Sequence, residues 1–135
     1  MKLRISDKPS SAPSPTGPVL VRPYQIVLPV SVGSQEFPAI LDTGHTHNLA
    51  MSADHYRDWV RRTLQQIGTL RINKQDVPLL RADLQFEGKT LACPEGIAVY
   101  PQGHPRAPHL PILGLRVLVR NKVRVLIDGD VVEIQ

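Results

Sequence analysis

A chain of 135 residues and 15.0 kDa has room for one domain with a real hydrophobic core and almost none for a second lobe. Its composition, 41% hydrophobic and 21% charged, is that of an ordinary globular protein, and no apolar run approaches the roughly 20 residues that a membrane-spanning helix needs. The formal charge of +4 belongs mostly to residues 1–22, which carry +3, and only six aromatic residues exist to stack on bases, so nucleic-acid binding is disfavoured.

Met1 to Arg4 alternates charged and apolar residues without a continuous apolar stretch, so no secretory signal is visible and a cytoplasmic location is the expectation. Ser6 to Pro18 holds four prolines and four serines, which predicts a flexible Pro/Ser-rich segment over 1–22 and a folded domain over 23–135. Tyr24 to Val32 and Glu36 to Leu41, broken by Gly33-Ser34, read as a hairpin of two strands. Ser52 caps an expected helix that runs to Leu64, with Tyr56, Trp59, Val60, Thr63 and Leu64 on one side. Thr69 to Asn73 and Val77 to Phe86 are strand-like around a polar turn, and Lys89 to Tyr100 holds two shorter strands. Pro101 to Pro111, with four prolines, predicts an irregular loop. A short helix over Leu115 to Asn121 precedes two strands, Val123 to Ile127 and Val131 to Ile134, around the turn signal Asp128-Gly129-Asp130. The fold class is mainly β with one or two short helices.

Chemistry concentrates in Phe37-Pro38-Ala39-Ile40-Leu41-Asp42-Thr43-Gly44, where an apolar strand ends in an acid, a hydroxyl and a glycine. A strand that delivers a carboxylate at its end, followed by a residue free to turn, presents that acid in a cleft. A second segment, Leu110-Pro111-Ile112-Leu113-Gly114-Leu115, repeats the pattern of apolar strand and glycine before a helix. His45 and His47 lie two apart and, with His55, invite a metal reading. No Cys, Asp or Glu at a recognised ligand spacing completes such a set, so no metal and no other cofactor is expected. Cys93, the only cysteine, reads as a small buried residue and excludes an intrachain disulfide.

From Tyr24 to Gln135 these features resemble the retropepsin-like aspartic proteases, in their cellular and bacterial form rather than the viral one. The parts occur in the family's order: a hairpin, Ile40-Leu41-Asp42-Thr43-Gly44, a strand Asn48 to Met51, a central β region, then Ile112-Leu113-Gly114 with a helix and a closing hairpin. The resemblance implies a single-lobe acid-protease fold built as a closed β-barrel. Asp42 is then the catalytic aspartate, Thr43 the residue whose hydroxyl bonds across a dimer, and Gly44 a backbone contact to substrate. His45, Thr46, His47 and Gly114 make up the substrate-binding set. The chain departs from the family at His45, where a small residue is usual, and at Gly68 to Pro78, a candidate flap that looks short and has no glycine at its tip.

The implied activity is an aspartic endopeptidase. Peptide hydrolysis by this route needs two carboxylates sharing one proton, and one Asp-Thr-Gly per chain makes the second the contribution of another subunit. The expected partners are therefore a second copy of the chain and a peptide or protein substrate. The competing expectation is an inactive dimerisation or peptide-binding module that kept the fold while the flap decayed.

Overall fold

The computed structural model describes all 135 residues. In chain order it contains β1 Lys2–Arg4, β2 Ser10–Ala12, β3 Val19–Val21, β4 Val27–Val32, β5 Gln35–Leu41, β6 Leu49–Ser52 and the short helix α1 Ala53–His55, which continues into a π-helical turn over Tyr56–Val60. There follow β7 Gln66–Ile72, β8 Gln75–Leu80, β9 Leu84–Phe86, β10 Lys89–Leu91, β11 Ile97–Tyr100, β12 Ile112–Leu113, α2 Leu115–Arg120, β13 Val125–Asp128 and β14 Val131–Ile134. The fold is mainly β, as expected. No helix is long and apolar enough to cross a membrane.

Nine strands form one curled sheet in the order β10-β9-β4-β5-β12-β6-β11-β8-β7. It is a half-barrel rather than a closed barrel, since β10 and β7 are edges that do not pair with each other. Period-two alternation sets its inner face: Leu28, Val30 and Val32 of β4 are buried while Val27, Pro29 and Ser31 between them are less so. The two-residue Gly33-Ser34 turn places Pro29 opposite Pro38 at a position where neither residue bonds the other, so the β4–β5 ladder loses no donor to either proline. The main core joins this sheet to Trp59 and Val60 of the π-helical turn, Val117 and Leu118 of α2, and Val132 and Ile134 of β14. Trp59 is 2% exposed and Phe37 1%, their rings 6.3 Å apart, and burial of such side chains contributes about 1.5–3 kcal/mol each.

Val77 to Phe86, expected as one strand, is two, β8 and β9, on opposite parts of the sheet. Two further regions differ from the sequence expectation. Ser52 does cap a helix, its side chain accepting the N–H of His55, but the helix stops at Val60 and not at Leu64. The Tyr56 hydroxyl donates to the Arg62 carbonyl at 2.5 Å and accepts the Leu64 N–H at 3.0 Å, taking up backbone groups that a longer helix would use. The N-terminal segment, expected to be flexible, forms strands. β1 pairs antiparallel with β14, Leu3 opposite Val132, and the Met1 ammonium donates to the Ile134 carbonyl at 2.9 Å. β2 pairs with β3, and Thr16 in their loop accepts the Trp59 indole N–H at 2.8 Å. The local apolar content is too low to predict this; the partners lie about 130 residues away for β1 and 43 for Thr16.

Candidate active site

β12 lies between β5, to which it is parallel, and β6, to which it is antiparallel. Ile112 pairs with Ile40 and Leu113 with Leu41, so the two segments singled out in the sequence run side by side through the core. Asp42 stands where this parallel pair ends, its N–H donating to the Leu113 carbonyl at 3.0 Å. Its Oδ1 accepts the Gly44 N–H at 2.9 Å and its carbonyl accepts the His45 N–H at 3.2 Å. The carboxylate is thus held by its own loop while Asp42, Thr43 and Gly44 all remain exposed.

Gly114 locks this loop from the other side. Its N–H donates to the Asn48 carbonyl at 2.9 Å, and the next residue, Leu115, donates to the His45 carbonyl at 2.7 Å. A Cβ at position 114 would stand 2.1 Å from the His47 carbonyl oxygen and 2.8 Å from that of His45. Only glycine lets α2 begin this close to the loop. Gly114, expected in the substrate-binding set, thus packs against the backbone of the loop that carries the acid.

His45 and His47 are partly buried beside the acid, their rings edge to face at 4.7 Å, and Thr46 between them is exposed. Burial holds both imidazoles below the usual histidine range. For His45 the charge of Asp42 partly opposes that shift, and for His47 the neighbouring His45 and Arg116 add to it. No third His, Cys, Asp or Glu joins them as a metal-ligating group. Cys93 is buried, and burial pushes its thiol up to about 12, so it is not a nucleophile.

Sequence reasoning missed a supporting network below the loop. Asn48 is 2% exposed and donates through Nδ2 to Glu95 Oε1 at 3.0 Å and to the Gly96 carbonyl at 3.2 Å. Glu95 in turn pairs with Arg120 of α2. The network ties the acid's loop to the turn before β11 and to the helix after Gly114. A polar residue at the head of the buried run Leu49-Ala50-Met51 was its only local signal; nothing near Glu95 or Arg120 in the sequence marks them.

The candidate flap is a full hairpin. β7 and β8 are seven and six residues long and join through Asn73 and Lys74, with φ of 51° and 62°. A turn with two left-handed residues suits a two-residue hairpin, so the missing glycine has not shortened it. Leu70, Ile72, Val77 and Leu79 pack with Ala50, Ala98 and Tyr100 in a second apolar cluster. Leu70 and Leu79 also line a cavity of about 60 Å³ with His47, Asn48 and Arg116, which brings the hairpin against the acid's loop. His104, 4% exposed, fastens the hairpin tip to the Pro101–Pro111 loop. Its Nδ1 accepts the Arg106 N–H at 3.0 Å, leaving the proton on Nε2 to donate to the Ile72 carbonyl at 3.0 Å. A larger cavity of about 420 Å³ lies on the other side of the loop, lined by Thr46 and by Leu115, Arg116, Val119 and Arg120 of α2, and two more lie away from the acid, along Pro13, Phe37 and Pro38 and around Tyr24 and Asp130.

Solved structures share this fold. The chain is similar to a retropepsin-like aspartic protease from Rickettsia conorii, with 16% identity and a TM-score of 0.55 over 98% of this chain and 88% of that one. It is also similar to the retroviral protease-like domain of Ddi1 from Leishmania major, with 14% identity and a TM-score of 0.53 over 82% of this chain and 94% of that one. No family model and no curated protein matches the sequence. At these identities the likeness is one of fold, and the fold is retropepsin-like.

Proposed function

We propose that two copies of this chain form an aspartic endopeptidase, each supplying one Asp42 to a shared dyad. The observation that carries this reading is the placement of Asp42: exposed on a single-chain surface, at the end of the β5–β12 parallel pair, with its loop fixed by Gly44, Gly114 and Asn48. An acid so rigidly held yet so open is half of a site. In the complete site the two carboxylates share one proton, because like charges that close do not both ionise. The ionised Asp42 takes a proton from a water, whose oxygen attacks the scissile carbonyl carbon. The protonated Asp42 gives its proton to the carbonyl oxygen. Collapse of the tetrahedral intermediate breaks the C–N bond, the amine leaves with a proton, and the dyad returns to one proton. In this reading Thr43 bonds its counterpart across the two-fold axis, Gly44 offers its backbone to an extended substrate, and His45, Thr46 and His47 form the rim of the cleft.

A second reading, a retropepsin-fold module that dimerises or binds peptide without cutting it, draws support from the hairpin β7–β8, whose tip lacks glycine and is tied down by His104. Incubation with a mixed peptide library between about pH 4 and pH 7 separates the two. The endopeptidase reading expects cleavage on the acidic side of neutrality that Asp42→Asn abolishes at every pH while the fold is kept. Cleavage that survives Asp42→Asn ends it, and no cleavage by the unaltered protein favours the module.

A further inference from the structure

α2 turns Val117 and Leu118 to the core and leaves Leu115, Arg116, Val119 and Arg120 exposed along its opposite face. Thr46, exposed in the acid's loop, closes the cavity of about 420 Å³ that these four residues line. The bond from the Leu115 N–H to the His45 carbonyl, at 2.7 Å, holds the start of the helix against the residue before Thr46. Leu115 and Val119, 40% and 67% exposed, give the cavity an apolar floor. Its polar groups are one hydroxyl and two guanidiniums, with no carboxylate among them. Glu95, the acid bound to α2, is engaged through both oxygens, Oε1 accepting from Asn48 Nδ2 at 3.0 Å and Oε2 from Arg120. Arg116 has no ion-pair partner, so one positive charge is left over among Glu95, Arg116 and Arg120. That charge reaches the rim of the site, where it adds to the burial that holds the His47 imidazole below the usual range.

We propose, resting on the endopeptidase reading, that this cavity is a substrate subsite for a carboxylate side chain, glutamate before aspartate, and that Arg116 is the residue that selects it. The methylenes of a glutamate lie on Leu115 and Val119, and its carboxylate pairs with the Arg116 guanidinium, Arg120 and the Thr46 hydroxyl adding donors. Aspartate, one methylene shorter, covers less of the floor. A lysine or arginine at the same place meets like charge. Thr46 follows Asp42 by four residues, a span of at most about 14 Å, and an extended substrate advances about 3.3 Å per residue. The selected acid therefore lies within about four residues of the bond that is cut. Two-fold symmetry repeats the subsite, so an acid is favoured on both sides of that bond.

The test compares matched peptides of about eight residues, selected from a random library by cleavage or, where nothing is cut, by binding, with Glu, Gln or Lys placed in turn at each position. Assays run near pH 6, where the glutamate side chain is ionised. At the selected position the Glu peptide is expected to have a KM about tenfold below that of the Gln peptide with a similar kcat, because the contact is made equally before and during the reaction. About 0.5 M salt should shrink that ratio. Arg116→Gln is expected to bring it within about twofold, Arg116→Lys to keep part of it, and Arg116→Glu to turn the preference toward Lys. Cleavage with no such ratio, or with a ratio that Arg116→Gln leaves intact, overturns the subsite and leaves the endopeptidase reading standing. Loss of the dimer in Arg116→Gln, followed by sedimentation, assigns the α2 face to a contact between copies and overturns the subsite as well. In a protein that cuts none of the peptides, Glu-selective binding that Arg116→Gln removes keeps the subsite and ends the endopeptidase reading. Neither cleavage nor Glu-selective binding ends both.

Discussion

At the scale of single residues, Gly114 shows how much of the candidate site is backbone. Its contacts at 2.1 and 2.8 Å from a notional Cβ are with carbonyl oxygens of the acid's own loop, which have no flexible end to move aside. Gly114→Ala is therefore expected to lose roughly 3 kcal/mol, the upper end for overpacking, and to displace Asp42 with its loop. The denaturation midpoint and the peptidase activity should fall together; an alanine variant with unchanged midpoint would show that α2 can back away. The sequence marked Asp42 and Gly114 as ends of two similar apolar segments, and the parallel β5–β12 pair is what brings them together. It marked no role for Asn48, Glu95 or Arg120, because their contact spans 47 residues in one step and 25 in the other and leaves no local pattern.

At the scale of elements, the hairpin β7–β8 is held by two kinds of contact, the apolar cluster around Tyr100 and the single imidazole of His104. The ring stands edge to face on Tyr100 at 5.0 Å and serves two backbone groups at once. His104→Ala leaves the Ile72 carbonyl and the Arg106 N–H without that partner, at a cost of about 1–3 kcal/mol per group where water does not replace it. The expected result is faster amide exchange over Arg71 to Val77, with the β4–β5 hairpin unaffected. Equal exchange in both proteins would mean that the apolar cluster alone holds the hairpin. The element most misread was the helix after Ser52. Its cap and the buried Trp59 and Val60 were legible, but its end was not, since a tyrosine hydroxyl competing for backbone groups has no signature in periodicity. The N-terminal strands escaped notice for the opposite reason: between Ser6 and Pro18 the sequence is poor in apolar residues, β2 and β3 pair only with each other, and β1 finds its partner in β14, 127 to 131 residues away.

At the scale of the whole molecule, His45, His47 and His55 all titrate below the ordinary histidine value near 6.5, with burial the largest cause in each. The unfolded chain therefore takes up these protons first as pH falls, and between 6.5 and the lowered native values it holds more protons than the folded protein. Stability is then expected to be full above about pH 7 and to be lost as pH falls through this window. His55→Phe, which keeps a ring stacked on Trp59 where the imidazole now lies at 3.9 Å and 15°, should flatten that loss in urea unfolding measured from about pH 7 to pH 5. An unchanged slope would exclude His55 as a contributor. The shared dyad itself is tested most directly by mixing subunits. Wild-type chains are allowed to exchange with Asp42→Asn chains at fixed total concentration, and peptidase activity is followed against the wild-type fraction. If every active site needs one Asp42 from each copy, mixed dimers are dead and activity follows the square of that fraction, about one quarter at an equal mixture. A linear fall, with about one half remaining, would place the whole catalytic apparatus in a single chain and contradict the account.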